Sequence, residues 1–237
     1  MLKQFRCTSF NRCIEKSKMN KNVGILMNNI KIIDGIFLWD MNYIKNIRFE
    51  VNTMLPEQVD VRCEKEMFLN GEICNLSLES KGLQKDHPIQ AYITFEELPG
   101  EMTAMYMYNP WWTRPAFVNS FEEIPEKTQV LFLKFKNCYA CLLPMVGKQF
   151  KTIAVPGTKE ELCLEMTAYL EGMTSVEEPL YILAQDETLY GAVEKLFDKL
   201  SEYKGIRLKA ERNFPEIFRY LGWCSWDAFY TDIAFGT

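Results

Sequence analysis

The sequence is poor in histidine: His87 is the one imidazole in 237 residues. A Ser-His or Cys-His nucleophile could therefore take only His87 as its base. His87 stands in Lys85-Asp86-His87-Pro88, a polar turn that reads as surface loop. No glycine-rich phosphate loop is present. No run reaches the roughly 18 apolar residues needed to span a bilayer. There is no internal repeat and no low-complexity tract. Positive charge is short as well, with a formal net charge of −5. Nucleic acids and anionic membranes both require a basic face, so neither is expected as a partner. No cofactor is expected.

Residues 1–22 carry six Lys/Arg and one Glu, but lack the apolar centre of a signal peptide. They read as a disordered arm or an over-long start, with Met19 or Met27 as alternative initiators. A weak organelle-targeting arm is the competing reading. The eight cysteines, at 7, 13, 63, 74, 138, 141, 163 and 224, are spread too thinly for a disulfide scaffold. They read as reduced, mostly buried thiols of a cytoplasmic protein. Cys138 and Cys141 form a Cys-x-x-Cys spacing, yet no second pair completes a four-ligand metal site. In extended chain the two would point to opposite faces, and in a hairpin turn Cys138 would lie off the strand. No metal site is expected.

What the chain does have is apolar and aromatic content, 48% and 14% respectively, enough for a large core. From Val23 to about Gln185 short β-prone segments alternate with turn chemistry. Ala91, Ile93 and Phe95 share one face of a strand. Met102–Tyr108 is a second strand that stops at Asn109-Pro110. Leu131, Leu133 and Phe135 face one way, and Lys134 and Lys136 the other. Asn137-Cys138 then turns into Tyr139–Leu143, which Pro144 and Gly147 terminate. Leu162–Leu170 and Leu180–Ala184 continue the series. Many short strands at regular spacing predict a sandwich rather than a βαβ sheet. After Asp186 the period changes. Leu189, Val193, Leu196, Leu200 and Tyr203 recur at helical spacing, with Asp186 as cap and Gly205 as stop, predicting a helix at about 187–204. A charged connector follows, and then an apolar segment, residues 220–227, which reads as a buried parallel strand opening onto a site.

Gly222-Trp-Cys-Ser-Trp-Asp-Ala-Phe-Tyr230 resembles the first barrel strand of the raffinose synthase and seed imbibition protein family, in the α-galactosidase clan. Asn109-Pro-Trp-Trp-Thr-Arg-Pro115 resembles the tryptophan-pair segment of that family. Thr128-Gln-Val-Leu-Phe-Leu133 and the Leu143-Pro144 turn fit the family's order of elements. The resemblance covers about Trp111 to Tyr230. It implies a mainly β fold, a large antiparallel supersandwich followed by one helix and a (β/α)8 barrel. It also implies retaining hydrolysis or galactosyl transfer on α-galactosides, which requires two carboxyl groups about 5–5.5 Å apart.

The implied organisation is an arm at 1–22, a sandwich with its helix at 23–205, and a connector with the first strand of an incomplete barrel at 206–237. The family's two catalytic aspartates belong to later strands, so no catalytic residue is assigned. The chain alone is expected not to turn over a glycoside. Trp226 matches a position where clan members place an aromatic ring in the galactose subsite, and Asp227 could accept hydrogen bonds from sugar hydroxyls. The competing reading makes Trp226 barrel packing and Asp227 a turn cap. Trp111 and Trp112, being adjacent, would face opposite ways in a strand, one packed and one exposed, with Arg114 beside them. Either this segment leans over a sugar site, or it is a core Trp with an Arg stacked on it. The partner implied is an α-galactoside, and a homo-oligomer is compatible with all of this. The alternative to a piece of an enzyme is a free-standing β-sandwich that binds carbohydrate or a partner without catalysis.

Overall fold

The computed structural model describes residues 32–33, 36–37, 44–51, 59–83 and 88–222. The chain divides into two compact units, Met1–Met41 and Asn42–Thr237. In the first, β1 (Ile32–Ile33) pairs antiparallel with β2 (Ile36–Phe37).

Among the described residues of the second unit, eleven strands form one antiparallel sheet folded over on itself. In chain order these are β3 (Ile44–Val51), β4 (Val59–Phe68), β5 (Gly71–Leu83), β6 (Ile89–Phe95), β7 (Glu101–Asn109) and β8 (Trp112–Val118). Then come β9 (Thr128–Lys134), β10 (Tyr139–Pro144), β11 (Phe150–Val155), β12 (Glu161–Ala168) and β13 (Met173–Asp186). One run is β3-β6-β12-β11. The other is β8-β7-β9-β10-β13-β5-β4. They join where β11 touches the start of β9 through a single register pair, Ala154 with Thr128.

The fold closes because strand alternation puts one apolar face of each run inward. Ala91, Ile93, Leu162 and Leu164 from the first run meet Leu76, Leu78, Leu131, Leu133, Leu142 and Leu183 from the second in one core. Each of these leucine and isoleucine side chains contributes roughly 1.5–3 kcal/mol by leaving water. Aromatic packing seals one end: the Phe121 ring stacks 5.3 Å from Phe95, which lies 6.1 Å from Phe135. The faces read from sequence hold for β6 and β9, where Ala91, Ile93, Phe95, Leu131 and Leu133 are buried and Lys134 is exposed.

Helix α1 (Leu189–Lys204) covers the outer face of β10 and β13. Ala192 and Leu196 are buried there against Ile73, Cys141, Ile182 and Ala184, with Val193 and Leu200 packed alongside. The cap differs from the expectation. Thr188, not Asp186, accepts the Gly191 N–H at 3.0 Å, while Asp186 accepts from the Thr188 N–H and pairs with Lys195. Gly205 stops the helix as expected. Its φ of 64° is left-handed, and its N–H bonds the Ser201 carbonyl. Of the expected barrel strand at 220–227, only residues 220–222 are described: they form no strand, and Tyr220 and Leu221 are exposed rather than buried.

Candidate functional site

β7 and β8 form a hairpin that outruns its neighbour. β9 begins at Thr128, which pairs with Tyr106, so residues 107–112 extend beyond it. The tip is a two-residue loop, Pro110-Trp111, closed by the pair Asn109–Trp112. The Asn109 side-chain oxygen accepts the Trp111 N–H at 3.0 Å, the Asx-type bond that suits this residue to turns. β8 is an edge strand, the place in a sheet where a proline such as Pro115 is tolerated.

Both tryptophans are exposed, Trp111 at 84% and Trp112 at 60%. This corrects the expectation that one of them packs in the sandwich. Trp111 sits in the turn rather than in a strand, so strand alternation does not apply to it. Nor does Arg114 stack on a tryptophan. Its guanidinium lies 3.7 Å over the ring of Tyr108, and Tyr108 meets Tyr106 edge-on at 6.5 Å. Register puts Arg114 opposite Tyr106, on the same face as the inward-facing pairs Ala104–Ala116 and Met102–Val118. That face continues past the end of the core and there carries Tyr106, Tyr108, Trp112 and Arg114. Arg114 makes no salt bridge among the described residues, so its donors remain available. Tyr106 and Tyr108 were not singled out in sequence. The Met105-Tyr-Met-Tyr108 alternation is the signal that marks them.

On the opposite face of the same hairpin, Thr103, Phe117, Phe132, Tyr139 and Leu189 line an open groove of about 410 Å³. The Lys134 ammonium holds the Glu101 carboxylate at its rim, at 3.1 Å. Phe117 is 82% exposed.

Trp226, Asp227 and His87 lie outside the described residues. The Cys-x-x-Cys pair is separated as expected. Cys138 is buried in the core between the runs, and Cys141 under the helix, where burial pushes its thiol up to about 12. Among the described residues no group of three or more His, Cys, Asp or Glu could hold a metal ion. None of their helices is long and apolar enough to cross a membrane.

Known proteins resemble part of this chain. Galactinol–sucrose galactosyltransferase of Pisum sativum is 28% identical over 144 residues, which is 56% of this chain and 17% of that protein. Stachyose synthase of Pisum sativum is 21% identical over 140 residues, 56% of this chain and 16% of that protein. Probable galactinol–sucrose galactosyltransferase 1 of Arabidopsis thaliana is 23% identical over 198 residues, 76% of this chain and 25% of that protein. The chain thus spans a quarter or less of the length of these relatives. The family model described as raffinose synthase or seed imbibition protein Sip1 matches residues 51–237, taking in both the sandwich and the hairpin, and the chain belongs to that family.

Proposed function

We propose that this chain supplies the N-terminal sandwich of a carbohydrate-active enzyme working on α-galactosides, and that the β7–β8 hairpin is where the sandwich meets sugar. The observation that carries the reading is the exposed cluster of Trp111, Trp112 and Tyr108 with Arg114. A flat ring suits the apolar face of a pyranose, and a guanidinium donates to its hydroxyls. Exposing two indoles on a hairpin tip does nothing for the core. The curated relatives are named for galactosyl transfer, which supports galactose as the sugar.

In this reading Trp226 and Asp227 line the galactose subsite, and the two carboxyl groups of the retaining reaction come from barrel strands outside the sandwich. The chain itself therefore binds without turnover. The test is a tryptophan-fluorescence titration with melibiose, run beside an aryl α-galactoside assay. A saturable change with Kd on the order of 1 mM, lost in Trp111→Ala and Trp112→Ala, is the expected result. A titration without saturation overturns the sugar reading of the hairpin. Saturable release of the aryl group by the chain overturns its catalytic incompleteness.

A further inference from the structure

At the other end of the strand order from the hairpin, β4 and β5 bring two thiols together. Cys63 pairs across the ladder with Leu76, and Lys65 with Cys74. All four side chains therefore share one face, and Cys63 and Cys74 are diagonal neighbours. Cys63 packs against the core cluster that contains Cys74. Glu72 lies on the same face, taking the Lys65 ammonium at 3.3 Å and the Tyr181 hydroxyl at 2.6 Å. Cys74 is fully buried. Cys63 is half-buried on β4, the terminal strand of the sheet, so an external reagent can approach it. The other described cysteines, Cys138, Cys141 and Cys163, are all buried, and none is half-open in this way.

We propose that Cys63 and Cys74 form a redox-modification site, in which a low-molecular-weight disulfide such as oxidised glutathione converts the two thiols to a disulfide linking β4 to β5. The Cys63 thiolate attacks one sulfur of the reagent. Its S–S bond breaks, and one glutathione leaves as thiolate and takes up the proton released by Cys63. The Cys74 sulfur then attacks Cys63 in the mixed disulfide, expelling the second glutathione, which takes up the Cys74 proton. Two protein thiols are oxidised, and one glutathione disulfide is reduced to two thiols.

The roles follow from the surroundings. The neighbouring Cys74 thiol first, with help from the Lys65 ammonium, draws the Cys63 thiol down to about 7, against partial burial and the Glu72 carboxylate. The neighbouring Cys63 thiol, together with burial, pushes Cys74 up. Cys63 is thus the attacking thiol and Cys74 the resolving one. A diagonal pair must close further to reach disulfide geometry. An edge strand, laddered on one side only, can shift to allow it.

The experiment treats the full 237-residue chain with oxidised glutathione at pH 7, followed by peptide mass mapping. The expected product has lost two hydrogens and links the Cys63 and Cys74 peptides, with Cys138, Cys141 and Cys163 unmodified. Cys74→Ala should stop at a glutathione adduct on Cys63, and Cys63→Ala should leave Cys74 free. In the unmutated chain, iodoacetamide should label Cys63 at least about tenfold faster than Cys141 at pH 7. A persistent glutathione adduct on Cys63 in the unmutated chain, or modification of Cys74 that bypasses Cys63, overturns the proposal. The mapping and labelling of the unmutated chain stand even if a variant fails to fold.

Discussion

The Tyr181 hydroxyl donates a 2.6 Å hydrogen bond to the Glu72 carboxylate across β13 and β5, with Tyr181 fully buried and Glu72 3% exposed. Lys65 supplies the second partner from β4. A carboxylate so far from water is tolerated only when both charge and lone pairs are met. Tyr181→Phe removes one donor and leaves the acceptor buried. It should destabilise the sandwich by about 2 kcal/mol in urea unfolding. Tyr181→Phe combined with Glu72→Leu should cost less than the two single changes added together.

Glu178 is held by a loop rather than by a cation. Its carboxylate accepts the backbone N–H groups of Lys148, Gln149 at 2.9 Å and Phe150 at 3.0 Å. The loop can wrap this closely because residue 147 is glycine: a Cβ there would collide with the carboxylate. Gly147→Ala should therefore cost about 2–4 kcal/mol by displacing these charge-assisted bonds. Introduced into Glu178→Ala, the same change should cost under about 1 kcal/mol. Equal penalties in the two backgrounds, measured by thermal melting, would show that the clash is not with Glu178.

Asp186 links the end of β13 to α1. Lys195 first, and then the Thr188 N–H, hold its carboxyl below the usual carboxylate range. A group depressed in this way adds stability that is full above the unfolded value of roughly 3.9 and lost as pH falls through the folded one. Asp186→Asn should lower stability at pH 7 by about 1 kcal/mol or less, because solvent still screens the pair. The gap between variant and parent should narrow steadily below about pH 4. A gap that stays constant down to pH 2 would mean the charge on Asp186 contributes nothing.

The hairpin tip separates function from stability. Trp111→Ala and Trp112→Ala remove side chains that touch no core, so unfolding should change by no more than about 0.5 kcal/mol. Arg114→Ala removes a cation stacked at 3.7 Å on Tyr108. It should cost roughly 0.5–1 kcal/mol and weaken the melibiose response as well. A large loss of stability in either tryptophan variant would assign the pair to packing.

Legibility of the fold followed local periodicity. α1 could be read because its stripe repeats every three to four residues and ends at a glycine that adopts the left-handed conformation. β6 and β9 could be read because one face meets the core and the other meets water. β13 was longer than its sequence suggested: only Leu180–Ala184 was expected, against an observed Met173–Asp186. Its second half is buried on both faces, by the core and by α1, so no alternation marks it. β8 carries no alternation of its own, because its Trp-Thr-Arg-Pro start is exposed on both sides. Only its pairing with β7 makes it a strand.

By itself the sequence determined the mainly β class, the helix and its stop, the facing of the clearest strands, and the family through its tryptophan segments. These are properties of residues a few positions apart, where backbone geometry dictates the outcome. Only the tertiary structure decided that both hairpin tryptophans stand in solvent, that Arg114 lies on Tyr108, that Glu72 is buried beside Tyr181, and that Cys63 meets Cys74. The two strand-to-strand meetings are set by ladder register, Tyr181 reaching Glu72 across 109 residues of chain. A shift of one residue in that register would turn each of those side chains to the opposite face, and no local pattern records which register the folded sheet adopts.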